Sequence, residues 1–141
     1  MSLHVLEDIQ LRLDNSPFIK ALQIEAIEWA ADETSPRLVL KMPMRPLVER
    51  LADSEQMHGG PIASLIATAG CFAVGMDMGG VGLPTIAFST NYLRPIVKSS
   101  ATAVATVRRV GKSIGIADVE VMNDAGVLVA LGRAEYSTLQ R

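Results

Sequence analysis

The chain has 141 residues, a formal net charge of −2, an apolar fraction of 49% and an aromatic fraction of only 4%. This length suits one domain with a sizeable core, so a single domain over residues 1–141 is predicted. A chain without a strongly basic stripe and with few aromatic side chains for stacking is not expected to bind nucleic acid. Cys71 is the only cysteine, which excludes an internal disulfide and favours a reducing, cytoplasmic location.

The N-terminal part of the chain predicts a helix followed by a hairpin. Charged and apolar residues alternate through 1–20, without the continuous apolar stretch of a secretory signal. Apolar spacing predicts a short amphipathic helix over 3–14, within an N-terminal helical segment 1–16. Two apolar runs separated by a turn then predict a β-hairpin between Leu22 and Met42.

An uncharged segment of 19 residues, His58 to Met76, opens with His-Gly-Gly-Pro. Proline suits the first turn of a helix, so a long helix is predicted from Pro61 to Gly79-Gly80. Its first turn presents free N–H groups and the positive end of the helix dipole, which can hold an anion or a carbonyl oxygen that gains negative charge. A tight turn into a buried helix is the alternative interpretation. The segment is nearly long enough to span a bilayer, but its small and polar residues favour burial in protein, so no membrane is expected.

Four strand-like runs complete the chain. They cover residues 85–94, 101–110, 113–122 and 127–138. Alternation in the first run predicts Ile86 on the same face as Phe88, with Thr85 on the other face. The order α-ββ-α-ββββ predicts an α+β fold in which about six antiparallel strands wrap around one long helix. The exposed sheet edges need covering, so a homodimer is expected.

Four segments resemble one protein family in the order in which they occur. They are His58-Gly59-Gly60 at the start of the long helix, the strand from Thr85 to Pro95, the segment from Val107 to Lys112, and the stretch from Asn123 to Gly132. Together with the order of elements, they make the chain similar to the hotdog-fold thioesterases, in the phenylacetate-degradation branch, over nearly all its length. The resemblance implies a hotdog fold and hydrolysis of acyl-coenzyme A by a homodimer or a dimer of dimers. Coenzyme A enters as part of the substrate, and no other cofactor and no metal are expected.

The resemblance also implies roles for individual residues. The N–H of Gly59 would hold the thioester carbonyl, and His58, followed by Gly60 in the same motif, would brace the loop. Thr85 falls where the family often carries a hydroxyl that positions the attacking water, although a threonine also suits a strand for its β-propensity alone. Four basic residues are candidates for binding the coenzyme A phosphates, with ordinary solvation as the alternative: Arg94, Arg108, Arg109 and Lys112.

Two positions depart from the family pattern. Nine residues after the histidine, where the family places a catalytic Asp or Glu facing the substrate, the chain has Ala67. Six residues before the histidine, where an amide side chain orients the water, it has Ala52. The loop before His58 offers substitute carboxylates, of which Glu49 and Asp53 are the preferred candidates for the base.

These departures leave two functions open. The first is hydrolysis of aryl or short to medium acyl-coenzyme A thioesters with an atypical or weakened base. The second is a non-catalytic protein that binds or senses acyl-coenzyme A on the same scaffold. A hotdog dehydratase is disfavoured because no Asp-His pair is placed for hydration chemistry.

Overall fold

The computed structural model describes residues 3–32 and 34–139. Its helices are α1 (Leu3–Asp14), α2 (Pro17–Ala21) and α3 (Gly59–Asp77), with a 3-10 turn at Pro46–Val48. Its strands are β1 (Glu25–Ala30), β2 (Arg37–Met42), β3 (Thr85–Tyr92), β4 (Ala101–Val110), β5 (Ile114–Met122) and β6 (Leu128–Ser137). The first two residues of the predicted segment 1–16 lie outside the described residues.

The six strands form one antiparallel sheet in the order β1-β2-β4-β5-β6-β3. Three hairpins connect neighbours in sequence, and β3 crosses the sheet to pair with β6 at the far edge. The long helix α3 packs against β2, β3, β4, β5 and β6. The predicted α+β architecture, a six-stranded antiparallel sheet around one long helix, is therefore confirmed.

The helix α3 lies in the core because apolar side chains occupy most of its circumference. Leu65, Ile66 and Ala69 are fully buried against the sheet. By length and composition alone this helix of 19 residues could cross a membrane, yet its contacts with five strands are those of a core helix. Gly70 permits a close approach of the sheet, since an added Cβ there would lie 2.5 Å from the hydroxyl of Tyr136.

The predicted helix over 3–14 is confirmed, but a second short helix follows it that the sequence pattern did not predict. After α1 ends at Asp14, Ser16 accepts a hydrogen bond from the N–H of Ile19 and starts the short helix α2, with Pro17 in its first turn. This is an ordinary N-cap with proline at the first helical position. The strand β1 consequently begins at Glu25, three residues later than predicted.

The strand β3 departs from simple alternation at its start. Thr85 pairs with Tyr136, whereas Ala87 pairs with Glu135, so a bulge lies between them. Residues directly opposite each other in an antiparallel ladder point to the same face of the sheet. Thr85 therefore lies on the helix-facing side with Phe88, whose partner on β6 is a buried alanine. The prediction that placed Thr85 and Phe88 on opposite faces is wrong, because the bulge adds one residue to the strand.

One edge of β3 pairs with no other strand in the described part of the chain. Large apolar side chains accompany this open edge, and Ile86, Phe88 and Tyr92 are 53%, 44% and 53% exposed. Unpaired backbone groups beside apolar side chains make an edge that favours pairing with another chain.

Candidate active site

The start of α3 is fixed by His58, its N-cap. The backbone N–H of His58 donates to Val48 over 2.7 Å, and its Nδ1 accepts the N–H of Gly60 over 2.8 Å. This imidazole nitrogen is occupied, so the side chain braces the turn. Within the described part of the chain, the N–H of Gly59 donates to no acceptor. Of the two glycine N–H groups in the motif, only that of Gly59 is therefore available to a ligand.

Tyr92, at the end of β3, contacts the same turn. Its hydroxyl donates to the carbonyl oxygen of Gly59 over 2.6 Å. A Cβ added at Gly59 would lie 3.1 Å from that hydroxyl oxygen, so a larger residue would collide with the phenol. Sequence reasoning missed Tyr92, because an aromatic residue in a strand is ordinary and the contact joins residues 33 positions apart.

The N-terminus of α3 opens onto a groove of about 510 Å³. Gly59 and Tyr92 line it together with two arginines, Arg50 and Arg94. The guanidinium of Arg94 donates to the carbonyl of Leu128 over 2.6 Å, which fixes its position. Arg50 was not among the predicted site residues, since a charged residue in a polar loop gives no sequence signal beyond its charge.

The two loops that flank this groove are bound to each other. The N–H of Met57 donates to Ile96 over 2.9 Å, and the N–H of Lys98 donates to Glu55 over 2.8 Å. Asp53, Glu55 and Lys98 have positive φ values of 61°, 51° and 49°. Left-handed backbone at residues other than glycine is unfavourable and tends to cluster at functional sites.

The candidate bases Glu49 and Asp53 lie on the same loop but face elsewhere. They line a separate groove of about 420 Å³ beside Arg45 and Glu55. A carboxylate oxygen of Glu49 accepts the N–H of Glu55 over 2.7 Å, so it stabilises the loop. Within one protomer, neither carboxylate lines the groove that contains Gly59.

Tyr136 contacts Ala67 through its hydroxyl and pairs with Thr85 through its backbone. The buried hydroxyl of Tyr136 donates to the carbonyl oxygen of Ala67 over 2.6 Å, and Tyr136 pairs with Thr85 across the ladder. Burial raises the pKa of Tyr136, so it remains a neutral phenol that donates to the helix. Tyr136 was not predicted as a site residue either, because one tyrosine in an alternating strand does not show which helix residue it contacts.

A pocket of about 260 Å³ continues along α3 beyond Ala67. Cys71, Phe72 and Met76 contribute to its wall, and Arg12 of α1 lies at its rim. The thiol of Cys71 donates to Leu83 over 3.4 Å. Burial raises the pKa of this thiol, and a protonated thiol is a poor nucleophile.

The other basic residues predicted to bind the coenzyme A phosphates lie at the opposite end of the sheet from Arg94. Arg108 and Arg109 end β4, and Lys112 lies in the turn that leads into β5. Arg108 donates to Asp118 over 2.9 Å. Hydrogen bonding from Arg133, more than from Arg108, lowers the pKa of Asp118. These three basic residues therefore lie at the same end of the sheet as Thr85.

Two half-sites therefore lie at opposite ends of β3. Tyr92 and Gly59 mark one end, whereas Thr85 and Ala67 mark the other. Seven residue steps along a strand span about 23 Å, so one protomer does not bring Thr85 to Gly59. Among residues 3–32 and 34–139, no three His, Cys, Asp or Glu side chains are grouped so as to hold a metal ion.

Comparison with known proteins identifies the family. A family model described as the thioesterase superfamily matches residues 56–130. The acyl-coenzyme A thioesterase PaaI of Escherichia coli is 30% identical over 136 residues, which cover 96% of this chain and 91% of the relative.

Solved structures agree with this assignment. The structure of the E. coli PaaI protein from the phenylacetic acid degradation operon matches with a TM-score of 0.79 at 29% identity, covering 95% of this chain and 92% of that chain. A thioesterase from Haemophilus influenzae matches with a TM-score of 0.82 at 23% identity, covering 94% of this chain and 88% of the other, and supports the fold alone. The chain therefore belongs to the thioesterase superfamily and has its hotdog fold, as the similarity to PaaI also indicates.

Proposed function

We propose that this protein hydrolyses acyl-coenzyme A thioesters to the free acid and coenzyme A, and that the N–H of Gly59 polarises the thioester carbonyl. Membership of the superfamily supports thioester hydrolysis in general. The finer proposal rests on one observation: at the positive end of a long helix, the N–H of Gly59 has no acceptor among the described residues, and Gly59 lines a groove. A donor fixed before the reaction stabilises the developing oxyanion without reorganisation.

The complete site is proposed to form between two subunits. If the open edges of two β3 strands pair antiparallel about their middle, Thr85 of one copy lies opposite Tyr92 of the other. Ala67 and Thr85 of one subunit would then approach Gly59 of its partner. The same pairing brings Arg94 of one subunit to the side where the partner carries Arg108, Arg109 and Lys112, which suits a substrate with several phosphates.

The acyl group is proposed to enter the pocket beside Cys71. Cys71 and Gly75 follow Ala67 at one and two helical turns, about 6 and 12 Å along α3. A wholly apolar cavity of about 150 Å³ accepts benzene, so 260 Å³ fits an aryl or short to medium acyl group. The pocket therefore agrees with the acyl classes that the sequence analysis left open.

The base is proposed to be Glu49 or Asp53. Both lie on the loop whose neighbouring residues Arg50 and Gln56 line the Gly59 groove, and dimer formation could bring either carboxylate to the attacking water. Separate Glu49→Ala and Asp53→Ala variants test this assignment. At least one should reduce kcat by on the order of 10²-fold, the ordinary contribution of a general base. If both retain kcat within a few-fold, neither is the base.

A second candidate function is a non-catalytic protein that binds acyl-coenzyme A. The observation that favours it is Ala67, which leaves the helix without a carboxylate beside Thr85. Steady-state release of the coenzyme A thiol from a panel of aryl and aliphatic acyl-coenzyme A compounds separates the two. Saturable turnover supports hydrolysis, whereas calorimetric binding of the same compounds without turnover supports the binding protein. We propose a cytoplasmic location for either function, from the single cysteine and this class of substrate.

A further inference from the structure

We propose that Tyr92 is a positioning residue that sets the direction of the Gly59 N–H through its hydrogen bond to the Gly59 carbonyl. This inference rests on the proposed function, because it concerns the donor that would polarise the thioester. It adds a residue to the site that neither the family motif nor the sequence pattern assigns.

The turn at the start of α3 is held by separate contacts on either side of Gly59. Val48 accepts the N–H of His58 over 2.7 Å, and His58 accepts the N–H of Gly60 over 2.8 Å. These two bonds use the donors on either side of Gly59. As the first residue of α3, Gly59 also accepts the helical N–H of Ala63 at its carbonyl. The 2.6 Å bond from Tyr92 is a second bond to the same carbonyl, and it comes from outside the helix.

The phenol also limits what residue 59 can be. A Cβ added there would meet the hydroxyl oxygen at 3.1 Å and the adjacent ring carbon at 3.2 Å. Contacts at these distances are tighter than ordinary van der Waals packing, so either the ring or the turn would have to shift. The phenol of Tyr92 therefore disfavours a side chain at residue 59, and through its hydrogen bond it also restrains the backbone of Gly59.

The position of Tyr92 is poorly explained by core packing. The residue is 53% exposed, lies on the open edge strand, and lines the groove that Gly59 faces. Within one subunit, an exposed aromatic ring whose hydroxyl contacts a helix carbonyl gains little from burial. Its main effect inside the subunit is therefore on the turn that it contacts.

The test compares Tyr92→Phe with Ser64→Ala. Both variants remove one hydroxyl that donates to a carbonyl in the first turn of α3, since Ser64 donates to Gly60 over 3.0 Å. Only the first bond restrains Gly59. A neutral hydrogen bond contributes up to about 1.5 kcal/mol, so Tyr92→Phe should lower kcat by up to about tenfold while KM changes little. Ser64→Ala should keep kcat within about twofold.

Coupling between the two residues provides a second readout. If Tyr92 acts through Gly59, the loss of kcat in Gly59→Ala and in Tyr92→Phe should not multiply in the double variant. Multiplicative losses would show that the phenol acts independently of Gly59. Light scattering on each variant shows whether subunit association is preserved, because Tyr92 lies on the exposed edge.

Backbone relaxation by NMR makes the inference testable even without turnover. The Gly59 amide should have an order parameter near the rigid value of about 0.85 in the wild type and in Ser64→Ala, and a clearly lower value in Tyr92→Phe. An unchanged order parameter together with unchanged kcat in Tyr92→Phe would overturn the inference. A wild type that turns over no thioester, but whose Gly59 amide loosens in Tyr92→Phe, would contradict the proposed hydrolysis and leave the positioning role supported.

Discussion

At the start of α3, the side chains of His58 and Tyr92 determine which backbone groups remain available to a ligand. The side chain of His58 uses the N–H of Gly60, and the phenol of Tyr92 uses the carbonyl of Gly59. The N–H of Gly59 has no acceptor in the described part of the chain, and Gly59 lines a groove together with two arginines. In this arrangement the imidazole caps the helix, and the unsubstituted Cα of Gly59 leaves room for the phenol and for the proposed ligand.

Replacing Gly59 should block access to its N–H and shift the turn that carries it. A valine at this position would place side-chain atoms against the phenol of Tyr92, since even a Cβ lies 3.1 Å from its oxygen. We expect Gly59→Val to lower kcat by on the order of 10²-fold or more, the typical effect of losing one oxyanion donor. Steady-state kinetics and circular dichroism check this together. Unchanged kinetics in a folded variant would place the site elsewhere.

Restoring the missing carboxylate should create or raise activity. Ala67 is half-buried beside Tyr136, so Ala67→Asp puts a carboxylate where the family resemblance places one. Partial burial disfavours the charged form, so the activity should increase with pH through an apparent pKa above the value of about 3.9 for free Asp. The pH dependence of kcat/KM measures this. A folded, dimeric variant that gains no turnover on any acyl-coenzyme A would show that residue 67 does not face the substrate.

At the scale of elements, α3 and β3 determine how the half-sites are arranged. The helix runs from the Gly59 turn past Ala67 to the Cys71 pocket, and β3 runs alongside with Tyr92 at one end. The bulge at the other end turns Thr85 towards the helix. The Gly59 turn, which is proposed to bind the carbonyl, and the Cys71 pocket, which is proposed to hold the acyl group, thus lie at opposite ends of one exposed strand.

The pocket beside Cys71 should set the acyl size. Cys71→Phe adds a ring to a space of about 260 Å³, so kcat/KM for phenylacetyl-coenzyme A and hexanoyl-coenzyme A should fall at least about tenfold, the effect of roughly 1.4 kcal/mol of steric strain. The rate with acetyl-coenzyme A should change little and serves as the internal control. An equal loss for all three substrates, or none, would place the acyl group elsewhere.

Regular patterns in the sequence predicted the elements well, whereas local exceptions were not predictable. Helix α3 and strands β4 to β6 begin and end within two residues of their predicted limits. The bulge after Thr85 was missed because it depends on pairing with β6, which alternation within one strand cannot show. The short helix α2 was missed because five residues are too few to establish a helical period.

The candidate site was predictable only where a local motif carries it. The cap by His58 and the free N–H of Gly59 follow from neighbouring residues. In contrast, the contacts of Tyr92 and Tyr136 with the helix, and the separation of Glu49 from the Gly59 groove, depend on tertiary packing. Chain separations of 33 and 69 residues leave no periodic signal.

In the whole molecule, we expect the open edge of β3 to pair with a second copy of the chain. The exposed apolar residues on this strand, Ile86, Phe88 and Tyr92, would be covered by antiparallel pairing with a partner. The same proposed pairing would bring the two half-sites together, and with them the basic residues from both ends of the sheet. Within one subunit the Gly59 turn lies apart from its proposed counterparts, Thr85 and Ala67.

Light scattering should therefore report an assembly. At micromolar concentration we expect a mass of two or four times the chain mass of 15.1 kDa. Phe88→Lys places a charge on the exposed edge and should shift the assembly towards monomer, with parallel loss of turnover. Ile27→Lys, which makes the same kind of change at an exposed position on the opposite edge strand β1, serves as the control. A wild-type monomer with full activity would contradict a shared site.

A crystal soaked with a non-hydrolysable acyl-coenzyme A analogue would show where the substrate carbonyl binds. We expect the carbonyl oxygen of the analogue to lie about 2.7–3.1 Å from the backbone nitrogen of Gly59, with Thr85 of a second subunit beside it and the acyl group near Cys71. An analogue bound with its carbonyl away from Gly59, or held wholly within one subunit, would contradict this expectation.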